Sequence, residues 1–137
     1  MAADAISLSI PHAAPFHGVA RLVVGGLAAR LDLSYENLED LQLALVSVLE
    51  RDGYAAGPEV TVRLVVGEDT VGLAIGPLDA TELRADLERE SGEGVSMRRL
   101  LETLVQEIAL EQREDGHWLR LEKRVVLAKG ASGKEGA

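Results

Sequence analysis

The sequence predicts an α+β fold, a two-layer sandwich in which a mixed, mainly antiparallel sheet carries its helices on one face. Three observations predict it. Short runs of alternating apolar residues recur as one lone strand and two hairpins, longer stretches with helical spacing fall between them, and the order strand, helix, helix, hairpin, helix, helix, hairpin contains no internal repeat.

Ile6 to Ile10 alternates with period two and reads as the first strand, closed by Pro11. A helix follows from about Phe16 to Leu31, with Val19, Leu22, Val23, Leu27 and Leu31 as its expected buried stripe. Gly25-Gly26 weakens that helix by roughly 1 kcal/mol per glycine unless another chain segment approaches there. Ser34 is the expected N-cap of a second helix running through Leu38 to Asp52, whose Leu38, Leu41, Leu45, Val48 and Leu49 recur on one face.

Gly53 and Gly57-Pro58 end the helical region. Strands Glu59 to Val66 and Thr70 to Ile75 are joined by Gly67-Glu68-Asp69, a hairpin signature. Asp79-Ala80-Thr81-Glu82 has the form of a capping box and predicts a short helix to about Glu90. Ser96 to Glu107 reads as a further helix, with Met97, Leu100, Leu101, Leu104 and Ile108 on one face. A final hairpin pairs Ile108 to Gln112 with Trp118 to Leu127 across Glu114-Asp115-Gly116. Residues 1–128 are expected to form one domain and 129–137, small and polar, a disordered tail.

Composition excludes several function classes. The chain has 137 residues and no cysteine, which rules out disulfide and thiolate chemistry. Fourteen basic against 23 acidic residues give a formal charge of −9, and only 3% of residues are aromatic, so neither a polyanion nor stacked bases find a matching surface. No nucleic-acid partner is expected. No run reaches the roughly 18 apolar residues of a membrane span, and the start lacks a signal-peptide pattern, so the expected location is the cytoplasm, away from the membrane. His12, His17 and His117 lack ligand spacing, which predicts no metal site. Ser47, Ser91 and Ser96 lack a nucleophile elbow. Glu82, Asp86, Glu88, Glu90 and Glu93 read as a solvated acidic face.

Two stretches carry a family resemblance. The helix through Leu38-Glu39-Asp40-Leu41-Gln42-Leu43-Ala44-Leu45-Val46-Ser47-Val48-Leu49-Glu50-Arg51 precedes the strand Val60-Thr61-Val62-Arg63-Leu64, and Gly116-His117-Trp118-Leu119-Arg120-Leu121-Glu122-Lys123 has the form of a closing G-T-x-V-x-L-x-K strand with His117 in place of Thr. Together they resemble the anti-sigma-factor serine kinases, a branch of the GHKL (Bergerat-fold) ATPases, over about Ile6 to Val126. The resemblance implies an E-x-x-x-N motif on the helix, in which the Glu is the general base and the Asn holds magnesium. Counting from Asp40, Ser47 falls at the Glu and Arg51 at the Asn.

Both replacements remove chemistry. A Ser hydroxyl does not accept a proton near neutral pH as a carboxylate does. A guanidinium has donors only, and at about 4 Å and an effective dielectric of about 20 it repels a divalent ion by roughly 8 kcal/mol. The adenine-reading D-x-G-x-G motif is replaced by Leu73-Ala74-Ile75-Gly76-Pro77, where Leu73 or an apolar neighbour takes the Asp position and Gly76 is the possible cofactor-binding remnant. Gly92-Glu93-Gly94-Val95 stands where the family has G-x-G-L, so Gly92 and Gly94 are further remnants of a phosphate cradle.

The expectation is a degenerate member without a catalytic residue, metal or cofactor, which binds a protein partner such as a sigma factor or a sulfate-transporter/anti-sigma-antagonist (STAS) domain and forms a homodimer. The alternatives are a residually active ATP-dependent serine/threonine kinase with Glu50 or Asp52 as substitute base, and a domain that binds ATP without magnesium by pairing Arg51 with phosphate.

Overall fold

The computed structural model of the protein describes residues 4–31, 33–89 and 96–125. Its elements are β1 (Asp4–Pro11), α1 (Ala14–Arg30), α2 (Tyr35–Leu49), a single 3-10 turn (Asp52–Tyr54), β2 (Glu59–Val66), β3 (Thr70–Leu78), α3 (Ala80–Glu88), α4 (Met97–Leu104), β4 (Glu107–Arg113) and β5 (Gly116–Arg124). The strands form one sheet in the order β1-β2-β3-β5-β4, and every neighbouring pair runs antiparallel. The expected mixed sheet is thus purely antiparallel among the described residues.

Period-two alternation decides which side chains meet the helices. Ile10, Val60, Val62, Leu64, Val71, Leu73, Ile75, Leu119 and Leu121 point to one side and join Leu41, Leu45, Leu83 and Leu101 of the helices in a single apolar cluster. Arg63, Arg120 and Glu122 occupy alternate positions on the helix-free side.

The helix starts follow local chemistry. Ser34 Oγ accepts from the Asn37 N–H at 3.1 Å and Ser96 Oγ from the Arg99 N–H at 3.1 Å, each satisfying an otherwise orphaned donor. Asp79 Oδ1 accepts from the Thr81 N–H at 2.9 Å. The other half of the expected capping box is absent: the Asp79 N–H donates to the Tyr54 carbonyl at 2.9 Å, and the Glu82 carboxylate packs against Gly53. The second hairpin turns at Gly116, whose φ of +136° is open to glycine and disfavoured for residues with a Cβ.

Four expectations are corrected. Helix α1 buries His17, Ala20 and Val24, whereas Val19 and Leu22 are 42% and 76% exposed. Apolar residues surround this helix, so periodicity alone does not choose its inner face. Gln42 of α2 fills the space beside Gly25 and donates from Nε2 to the Arg21 carbonyl at 3.0 Å. Second, α2 ends at Leu49 with Glu50 as its C-cap, so it stops short of Asp52. Third, α4 ends at Leu104 and Ile108 lies in β4, because Val105 is already extended (φ −136°, ψ 162°). Last, Asp86 is buried at 7% exposure and does not belong to a solvated face. The expected tail, 129–137, lies outside the described residues.

Candidate functional site

Ser47, Glu50, Arg51 and Asp52 lie at the C-terminal end of α2 and in the 3-10 turn after it, and Asp86 of α3 reaches Arg51. Ser47 is half-buried in the last turn of α2. Arg51 follows the helix in an extended conformation (φ −85°, ψ 104°), so it is not stacked one helical turn above Ser47 as the spacing predicts. Its guanidinium turns to α3, where Nη2 donates to Asp86 Oδ2 at 3.2 Å.

Asp86 is the centre of this cluster. Tyr54, fully buried, donates its hydroxyl to Asp86 Oδ2 at 2.6 Å, and Arg89 Nη2 stands 4.0 Å from Oδ1. Burial, then the Asp86 carboxylate, pushes the Tyr54 hydroxyl pKa far above its ordinary value, so it remains a neutral donor. The Arg51 guanidinium also lies 5.7 Å from the Tyr54 ring centroid. A buried carboxylate is costly without partners, and here a phenol and a guanidinium supply them. The cluster therefore ties the α2–β2 connection to α3. Arg51, the candidate phosphate partner, already pairs with an internal carboxylate.

The adenine-reading segment splits between the two faces of β3, Leu73 toward the helices and Gly76 toward the helix-free side. Leu73 is fully buried in the core, facing the helices. Gly76 meets the Trp118 ring, which takes the space a Cβ would need, and the indole Nε1–H donates to Asp115 Oδ1 at 2.8 Å. The glycine at this position serves indole packing. Gly92 and Gly94 lie outside the described residues. Glu50 and Asp52 line a cleft between α1 and α2 with His17 and Arg21. Sequence reasoning missed Tyr54 and the buried role of Asp86. The signal for Tyr54 was only its position after Arg51-Asp52-Gly53, which carries no pairing information. Among the described residues no group of three His, Cys, Asp or Glu side chains is placed to hold a metal ion, and no helix is long and apolar enough to cross a membrane.

Helices on one face of an antiparallel sheet, in this order of elements, give a GHKL-like ATPase fold. The solved RsbU and RsbW domains of Rv1364c from Mycobacterium tuberculosis superpose with a TM-score of 0.59 at 18% identity, over 89% of this chain and 32% of that longer one. No family model matches the chain. It is similar to the serine-protein kinase RsbW of Halalkalibacterium halodurans, 26% identical over 131 residues, covering 82% of this chain and 77% of the relative. The serine-protein kinase RsbW of Listeria monocytogenes is 29% identical over 133 residues, covering 78% of this chain and 79% of the relative. In sequence the chain is thus similar to serine-protein kinases of the RsbW type, and in fold to a structure that contains an RsbW domain.

Proposed function

We propose that the protein is a non-catalytic regulator, a degenerate anti-sigma-factor-like pseudokinase that binds a protein partner without magnesium-ATP chemistry. The carrying observation is the 3.2 Å pair between Arg51 and Asp86. At the position where the family resemblance implies a magnesium-binding carboxamide, the chain has a cation whose charge is engaged by a buried carboxylate. Ser47 in place of the general base supports the same reading.

The relatives carry the name serine-protein kinase, and the partner class inferred from the family is a sigma factor or STAS-domain antagonist in the cytoplasm. Homodimerisation is part of the reading. Phe16, Val19, Leu22 and Val23 lie exposed on α1, and Ile6 is 45% exposed on the edge strand β1, an apolar strip suited to a second copy. The test is capture of the native partner on the intact chain, with identification of the bound protein, in buffers with and without ATP and magnesium. Equal capture of a sigma factor or STAS protein in both buffers is expected; a complex that forms or dissolves only with magnesium-ATP would contradict the proposal.

A further inference from the structure

Away from the Arg51 cluster, two histidines meet at the junction of β1, α1 and α2. His12 follows β1 and His17 lies in the first turn of α1; their ring centroids are 6.1 Å apart with an interplanar angle of 67°. His12 Nε2 lies 3.2 Å from the Leu49 carbonyl, one of the terminal acceptors that α2 leaves unpaired. A carbonyl only accepts, so this bond puts the proton of neutral His12 on Nε2 and leaves Nδ1 with a bare lone pair. That Nδ1 is buried without a partner, and so is Nε2 of His17, a residue only 8% exposed.

We infer that His12 Nδ1 and His17 Nε2 form a two-imidazole site for a divalent transition ion of borderline softness, zinc or nickel. A ring N–H donated to a backbone carbonyl is the arrangement that fixes the tautomer and orientation of metal-ligating histidines. Metal–nitrogen bonds of about 2.0–2.1 Å and a tetrahedral angle place two ring centroids about 5 Å apart, about 1 Å closer than the pair stands here. His17 lines the α1–α2 cleft of about 540 Å³, which offers an entry path; Glu50 and Asp52 in its wall favour a cation and Arg21 opposes one. The protein supplies two nitrogens, and water completes the coordination. Sequence spacing does not show the pair, because the two residues are joined across a strand-to-helix turn.

Calorimetric titration of the intact chain with zinc chloride and with nickel chloride tests the site. One ion per chain is expected with a dissociation constant below about 100 μM, and His12→Gln and His17→Gln each weaken it about tenfold or more while His117→Gln leaves it unchanged. In the unsubstituted protein, nitrogen NMR should show the ring resonances of His12 and His17 shifting with metal and those of His117 static, which needs no variant to fold. No binding at that concentration, binding unaffected by both substitutions, or NMR shifts confined to other residues would overturn the inference.

Discussion

The ammonium of Lys123 on β5 lies 3.0 Å from the Asp40 carboxylate of α2 and donates to the Leu104 carbonyl at the end of α4, 2.9 Å away. One side chain thereby joins the sheet to two helices. Lys123 is 6% exposed, so its charge depends on these partners. Asp40→Asn leaves a buried ammonium short of its counter-charge and should cost about 3–5 kcal/mol; Lys123→Met frees a carboxylate that is partly hydrated and should cost less, about 1–3 kcal/mol. Urea unfolding of both variants measures the order.

The buried end of the Arg51 cluster should dominate its energetics. Tyr54→Phe deletes the hydroxyl bond to Asp86 and is expected to destabilise by about 1–3 kcal/mol. Arg51 is 46% exposed at its side chain, so Arg51→Ala should cost about 1 kcal/mol or less. A double-mutant cycle between Tyr54 and Asp86, read by denaturant unfolding, should give a larger coupling than one between Arg51 and Asp86.

Acid should weaken the second hairpin. Glu111 accepts from Arg113 Nη2 at 2.9 Å and from Arg120 Nε at 2.7 Å, and these bonds hold its carboxyl below the ordinary value of 4.5. A folded pKa below the unfolded one contributes stability that is fully present above about pH 4.5 and is lost as pH falls through the lower folded value. Glu111→Gln should therefore be less stable than the parent at neutral pH, with a difference that shrinks on acidification. Unfolding midpoints measured at neutral and acid pH check the sign.

The exposed strip on α1 gives a mutational test of self-association. Leu22 is 76% exposed and Val24 only 3%, so Leu22→Asp should dissociate a dimer without unfolding it, whereas Val24→Asp should disrupt the core. Light scattering with circular dichroism separates the two. A parent protein of monomer mass throughout the micromolar range would remove the dimer.

Local chemistry was legible in the sequence. Ser34, Asp79 and Ser96 announce their helices because a cap needs only its own next few residues, and Gly67 and Gly116 announce their turns for the same reason. Pairings between distant segments were not. Nothing near Asp86 in the chain foretells Tyr54, so the residue read as solvated turned out buried. The inner face of α1 was misread because Val19, Leu22 and Val23 are as apolar as Val24, and periodicity does not choose between them. At the candidate site the lost residue types were readable, while the replacement contacts of Arg51 and Gly76 required the fold.

Calorimetric titration with ATP, in magnesium and in chelator, tests the non-catalytic reading most directly. With Ser47 and Arg51 in place and Arg51 paired to Asp86, no magnesium-dependent binding is expected at physiological ATP. A magnesium-dependent dissociation constant below about 100 μM, equivalent to about −5.5 kcal/mol, would contradict it.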